Sequence, residues 1–274
     1  MKAKPYNRLA IYLVAHQDDW QLFMDPVVSE DIVDQHCKTV MIHTTAGDAG
    51  LTRQYWHARE QAALNSVLFR VACQPEQQLQ EGRLQVGPNA ITSYNLPGNS
   101  SYFLRLPDGG MKGQGFKRYS NQSLEKFRQG SIATLTSVDG QCSYYHMGML
   151  INTIQQIIEY EARLVGLPIG PEVSLHFPEH DTALSPDDHS DHFNTSLLLQ
   201  ATNAYHKVKK YAYVHYHIQH AAPDLAGLPL FWKTGMFCIY HQTVLNMHGH
   251  STIDESFQYP IWCTKDCVTR EVFS

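Results

Sequence analysis

The sequence lacks the features that mark membrane-spanning and nucleic-acid-binding proteins. None of its apolar runs approaches the roughly 18 consecutive residues that a membrane-spanning helix needs. Charged residues make up only 17% of the 274-residue chain, and a formal net charge of -5 leaves no basic surface of the kind that binds phosphate backbones. The composition therefore predicts a soluble globular protein without a transmembrane segment or a nucleic-acid partner.

Cysteine is also scarce, and the six residues present do not form a dense disulfide framework. Cys263 and Cys267 have a spacing found in metal sites, but no second Cys or His pair accompanies them, so we expect plain thiols. The N-terminal apolar stretch is short and ends in charges without a small-residue cleavage site. These features favour a cytoplasmic location, with an extracellular form left open.

Apolar runs and helical patterns alternate in the first 70 residues. Residues 8–15 ("RLAIYLVA") and 38–45 ("KTVMIHTT") have the length and composition of strands that are buried on both faces of a parallel sheet. A helical pattern follows each of them, and the first is interrupted at Pro26. This alternation predicts an α/β fold with a Rossmann-like, mostly parallel sheet flanked by helices.

The rest of the chain continues this pattern after a break rich in Gly, Pro, Asn and Gln, which predicts an inserted loop and hairpin region over about 72–146. The elements expected after it are a helix over 149–166, a strand over 172–177, a helix over 189–206, a strand over 211–218 and a helix over 233–245. No repeat or linker divides the chain, so residues 1–274 are expected to form a single domain.

Three ionisable side chains crowd into the four positions "HQDD" directly after the first strand. His16, at the strand end, and Asp19, at the start of a helix, can both turn toward one metal ion. A structural interpretation is also open, in which Asp18 and Asp19 cap the helix and His16 is a hydrogen-bonded loop residue.

A second cluster, "DDHSDH", opens a helix after a later strand, and its two histidines, His189 and His192, lie on one helix face. Because ligands in open α/β sheets bind beyond the carboxyl ends of the strands, the two clusters are expected to meet. His16, Asp19 and one or both later histidines would then form a catalytic zinc site with an open position. Asp18 would be within reach of the water that such an ion activates.

The order of these motifs resembles that of the PIG-L/LmbE-like superfamily, whose members are zinc-dependent enzymes that remove N-acetyl groups from amino sugars. The resemblance runs from residue 8 to about 243 and rests on "AHQDD", "TTAGDAG", the Arg59–Glu60 pair, "LPDG" and "HSDH". Near its end, "YHQT" partly matches a C-terminal Y-x-S-Q pattern. It implies that His16, Asp19 and His192 are the zinc ligands. It also implies that Asp18 is the general base and that His189 assists as a charged partner near the developing oxyanion.

The resemblance further implies that Arg59 and Asp108 contact the sugar. The turn "AGDAG" lacks the spacing of a dinucleotide site, and we expect it beside the cleft with Asp48 available to a sugar hydroxyl.

Two positions depart from the family pattern. Gln17 replaces the usual proline, and Asp187 stands where some relatives have a tyrosine that polarises the carbonyl. The oxyanion stabiliser is therefore open, and the candidates are Tyr94, Tyr144, Tyr145, His215 and His217.

The sequence thus predicts a zinc-dependent N-deacetylase that acts on a small-molecule N-acetylated amino sugar or glycoconjugate. His and Asp ligands also accept Fe²⁺, so the metal is left open. Two alternatives remain: a metal-dependent amidase acting on another acylated amine, and a carbohydrate-binding protein without turnover. The oligomeric state cannot be inferred from the sequence.

Overall fold

The computed structural model describes residues 6–71 and 78–273, so Cys73 and the first residues of the predicted insert lie outside the described residues. The strands are Arg8–Val14 (β1), Cys37–Thr45 (β2), Gln80–Val86 (β3), Asn89–Leu96 (β4), Asn99–Leu106 (β5), Leu135–Thr136 (β6), Ser143–Tyr144 (β7), Val173–Pro178 (β8), Lys209–Tyr213 (β9) and Thr269–Glu271 (β10). The α-helices are Asp19–Phe23 (α1), Val27–Val33 (α2), Arg53–Arg70 (α3), Leu124–Arg128 (α4), Met147–Val165 (α5), Ser190–Gln200 (α6), Gly227–His248 (α7), Thr252–Glu255 (α8) and Gln258–Cys263 (α9).

The main sheet confirms the predicted α/β fold. Its eight strands lie in the order β10-β9-β8-β1-β2-β5-β4-β3. The five strands from β9 to β5 are parallel to their neighbours, whereas β10, β4 and β3 join antiparallel. The hairpin strands expected as an insert therefore extend the main sheet, and the short strands β6 and β7 pair separately.

The central strand β1 shows why this sheet needs helices on both faces. Side chains alternate along a strand, so Ile11 and Leu13 face one layer and Tyr12 and Val14 the other, and all of them are buried. The first pair packs in a core with α5 and α6, and the second in a core that includes residues of α1, α2, α3 and α7. Within the described ranges, no helix is both long enough and apolar enough to cross a bilayer.

Element boundaries differ from the expectation mainly after β8. The strand expected over 211–218 ends at Tyr213, because its partner β8 ends at Pro178, with which Tyr213 pairs. A 3₁₀ helix, Tyr216–His220, follows, so residues 216–218 are not part of a strand as expected. The helix expected over 189–206 ends at Gln200.

The strand order places the two polar clusters side by side. The chain passes from β1 to β2 in one direction across the sheet and from β8 to β9 in the other, so the order reverses between β1 and β8. Such a switch point opens a crevice at the carboxyl ends of the strands. His16 follows β1 and the segment leading to His189 follows β8, so both clusters meet at this crevice.

Candidate metal centre

Three expected metal ligands converge at the crevice. Asp19 Oδ1 lies 3.6 Å from His16 Nδ1 and 3.2 Å from His192 Nε2. Two ligands of a tetrahedral zinc ion, each bound at about 2.0–2.1 Å, lie about 3.3–3.4 Å apart, so the observed spacing fits such an ion. All three side chains are buried.

Local hydrogen bonds fix this arrangement. Asp19 is the first residue of α1, and its Oδ2 accepts the backbone N–H of His16 at 2.7 Å, which leaves Oδ1 for the two imidazoles. Gln17, which stands in place of the family's proline, donates its side-chain amide to the Thr45 carbonyl at 3.0 Å. The loop that carries the first ligands is thereby attached to the end of β2.

Each imidazole of this set has a carboxylate beside its other ring nitrogen. Asp188 Oδ1 lies 2.7 Å from His192 Nδ1, and Asp191 Oδ2 lies 3.4 Å from His16 Nε2. Outer partners of this kind orient metal-binding histidines and raise their basicity. Sequence reasoning did not assign these roles, although the i, i+4 spacing from Asp188 to His192 was an available signal.

Two further groups of side chains also have ligand atoms within 4.8 Å of one another. They are His16, Asp108, His189 and Asp191, and Asp188, His192 and His215. Buried His and Asp groups at this crevice could therefore hold a metal ion. Cys263 and Cys267 are not disulfide-bonded, and no such group among the described residues includes a cysteine.

Protons balance the buried charges of the ligand set when no metal is bound. Burial disfavours the charged imidazole of His192, but Asp19 and Asp188 outweigh it and raise the pKa to about 9. Against the same burial effect, Asp19 raises the pKa of His16 well above its usual value. A divalent cation would displace these protons, because only neutral imidazoles bind metals.

His189 differs in charge from the expectation. It is the N-cap residue of α6, where its Nδ1 accepts the backbone N–H of Asp191 at 3.1 Å. Burial, followed by the nearby His16, lowers the pKa of His189 to about 4. This pKa favours a neutral ring at pH 7, and since Nδ1 accepts a backbone N–H, its proton would be on Nε2, 3.7 Å from Asp108 Oδ1.

Arg59 contacts the expected general base. Its Nη2 donates to Asp18 Oδ1 at 2.5 Å, its Nη1 to the Gly47 carbonyl at 2.6 Å and its Nε to the Tyr240 hydroxyl at 2.7 Å. Gly47 has a φ of +52°, and a Cβ atom there would collide with the guanidinium. Three donor groups of Arg59 thus already have partners within the protein. Its contact with a sugar stays a prediction.

A cavity of about 80 Å³ opens over these side chains. It is lined by His16, Asp18, Asp19, Leu22, Phe23, Arg59, Asp108, His189, Tyr216, Tyr259 and Trp262. A cavity of this size has room for several water molecules or a small polar group.

Asp108 and Asp48 are the remaining expected sugar contacts, and only Asp108 lines the cavity. Its Oδ1 accepts the Gly110 N–H at 2.7 Å and its Oδ2 the Ala49 N–H at 3.2 Å. Asp48 is fully buried beside Asp108, and burial followed by the Asp108 charge raises its pKa to about 8. Asp48 is therefore protonated at pH 7, and its contact with a sugar stays a prediction.

The tyrosines considered as oxyanion stabilisers do not line the cavity. Tyr144 is buried in the core with α5, Tyr145 is 63% exposed, and Tyr94 lies on β4 with its ring 6.0 Å from that of Phe103.

Among the histidine candidates, His215 is buried with its ring 4.4 Å from that of His192, whereas His217 lies in the 3₁₀ helix. Two other tyrosines, Tyr216 and Tyr259, line the cavity. Sequence reasoning missed both, since Tyr216 was assigned to a strand and no motif includes Tyr259.

Comparisons with known proteins do not assign a family. No protein-family model matches the chain, and no match was found among curated proteins. Among solved structures, GalB, the 4-carboxy-2-hydroxymuconate hydratase from Pseudomonas putida, is similar over 93% of this chain and 81% of its own. The TM-score is 0.41 and the sequence identity 12%, a level that carries no argument about function.

Proposed function

We propose that the protein is a metal-dependent hydrolase that removes the N-acetyl group of an N-acetylated amino sugar or glycoconjugate. The observation that carries this proposal is the buried set of His16, Asp19 and His192, with spacing suited to a tetrahedral ion and a carboxylate beside each imidazole. We assign the ion to this set because Asp19 Oδ1 accepts no backbone N–H and lies within 3.6 Å of a nitrogen of both imidazoles.

A bound Zn²⁺ ion would lower the pKa of its water from 15.7 to about 7, and Fe²⁺ would suit the same nitrogen and oxygen ligands. The residue suited to accept the proton of that water is Asp18. It lines the cavity next to Asp19, and Arg59 bonds only its Oδ1. Its Oδ2 has no hydrogen-bond partner in the described part of the chain and can serve as the base.

The acetamide carbonyl would lie on the side of His189, whose Nε2–H donates to the oxygen as negative charge develops there. As the C–N bond breaks, the proton held by Asp18 passes to the departing nitrogen, so acetate and a free amine leave the cavity. Arg59 keeps the Asp18 carboxylate in place throughout through its bonds to Gly47 and Tyr240.

Metal analysis and acetate release test this function. The purified protein is expected to contain about one Zn²⁺ or Fe²⁺ ion per chain and to release acetate from N-acetylglucosamine derivatives. Asp18→Asn keeps the side-chain shape and the contact with Arg59, so it should retain the metal and lose about 10²–10⁴-fold in rate. Asp34→Asn, a partly exposed aspartate away from the cavity, is the matched control.

Full activity of metal-loaded Asp18→Asn would contradict the assigned base. Substrate scope separates the alternatives. Acetate release only from acylated amines that are not sugars would favour a different amidase, and sugar binding without acetate release would favour a binding protein.

A further inference from the structure

We propose that Tyr216 is a catalytic residue of this site, whose phenol donates a hydrogen bond to the carbonyl oxygen of the scissile amide as that oxygen becomes an oxyanion. This inference rests on the proposed function. It assigns a donor that none of the sequence motifs contains.

The position of the Tyr216 ring is the first observation. The 3₁₀ helix carries Tyr216 into the wall of the cavity, where its ring centroid lies 5.0 Å from that of His192 and 6.4 Å from that of His189. The ring is held by Trp262, which stacks on it at 5.0 Å with an interplanar angle of 16°. Tyr216 is thereby held beside a metal ligand and beside the other expected donor.

The hydroxyl group of Tyr216 is the second observation. The hydroxyl of Tyr216 has no hydrogen-bond partner within the ranges 6–71 and 78–273, although the phenol of a largely buried tyrosine usually finds one. Burial raises the pKa of the Tyr216 phenol well above its usual value, so the hydroxyl carries its proton at neutral pH and can donate it. A group that occupies the cavity is therefore the natural acceptor.

The neighbouring Tyr259 lines the same cavity but contacts different side chains. Its ring stacks on Phe237 at 5.2 Å and meets the edge of Trp262 at 5.3 Å. It makes no ring contact with His189 or His192 in the described structure. Tyr216 therefore lies on the same side of the cavity as the His189 donor. Enzymes commonly stabilise an oxyanion with two such donors.

The experiment compares Tyr216→Phe with Tyr145→Phe in the zinc-loaded protein. Each change removes one hydroxyl and keeps the ring, so circular dichroism and metal content should match those of the unaltered protein. Tyr216→Phe is expected to lower kcat for acetate release by about 10²–10³-fold, the effect of removing one oxyanion donor, with a smaller effect on KM. Tyr145→Phe is expected to stay within about threefold of the unaltered kcat, because Tyr145 is 63% exposed and does not line the cavity.

A binding measurement makes the test independent of turnover. Methylphosphonate, a tetrahedral anion, is titrated calorimetrically into each zinc-loaded protein. Losing a hydrogen bond to its oxygen should weaken binding about tenfold or more in Tyr216→Phe. Tyr216→His, which keeps a ring and an N–H donor, should recover part of the affinity, which a purely structural role would not explain.

The two proposals fail in different ways. If no N-acetyl compound releases acetate from the zinc-loaded unaltered protein, the proposed function is wrong, and the titration still shows whether Tyr216 donates into the cavity. If Tyr216→Phe binds methylphosphonate as tightly as the unaltered protein, or as tightly as Tyr145→Phe, the inference about Tyr216 is overturned.

Discussion

Replacing Asp188 by asparagine should weaken metal binding without altering any ligand. Asp188 Oδ1 lies 2.7 Å from His192 Nδ1 and also accepts the backbone N–H of His189 at 2.8 Å, while Oδ2 accepts the Ser185 hydroxyl at 2.8 Å. Asparagine keeps an oxygen for the imidazole, and the hydroxyl can accept from the new amide. The change therefore removes the negative charge and leaves the geometry in place.

The expected loss follows from that charge. Outer carboxylate partners of metal-binding histidines typically contribute 10–100-fold to metal affinity, which corresponds to about 1.4–2.8 kcal/mol. The side chain of Asp188 is only 7% exposed, so solvent screens little of its interaction with His192. Because the hydrogen-bond acceptor survives, we expect Asp188→Asn near the tenfold end and Asp188→Ala near the hundredfold end.

Competition with a fluorescent zinc chelator measures this affinity without any knowledge of the substrate. Asp187→Asn is the matched control. It removes the same charge one residue earlier, and asparagine tolerates the φ of +57° found there. The reasoning is refuted if Asp188→Asn binds zinc within twofold of both the unaltered protein and Asp187→Asn.

Three further outcomes can be checked by unfolding. Arg59→Met leaves the buried Asp18 carboxylate unpaired, so urea denaturation should show a loss of about 3–5 kcal/mol, and an unchanged midpoint would contradict the role of the pair. The pKa of His192 is raised to about 9, so its protonated imidazole stabilises the metal-free folded protein. This stabilisation should be complete below pH 6.5 and lost as the pH rises through 9. Melting temperatures should therefore fall over this range, and a flat profile would contradict the shift. Gly47→Ala combines a positive φ with a collision at Arg59, so its free energy of unfolding should fall by at least about 1 kcal/mol, whereas Gly87→Ala, with a similar φ and open space, should lose less.

The sequence was sufficient to predict the layered fold and the meeting of the two clusters. β1 and β2 are recognisable because strands buried on both faces must be apolar at every position, and the carboxyl ends of such strands form the crevice of an α/β sheet. Ligand atoms of His16, Asp19 and His192 accordingly lie within 4.8 Å of one another, as the motif order suggested.

Features that depend on three-dimensional surroundings were not accessible from the sequence. β9 ends where its partner ends, so a β-rich pattern alone could not place Tyr216 in the cavity wall. The neutral state of His189 follows from its burial and from the backbone N–H that it accepts. Tyr259 reaches the cavity wall from α9, a part of the chain where no motif indicated a role.

The adjacency of β1 and β8 has a consequence for biogenesis. Asp19 and His192 are 173 positions apart, so a growing polypeptide completes the ligand set only after the early strand β1 has paired with the late strand β8. Pairings over such distances form slowly. Uptake of the cation would therefore be a late event in maturation, because it requires the chain to have been synthesised at least as far as His192.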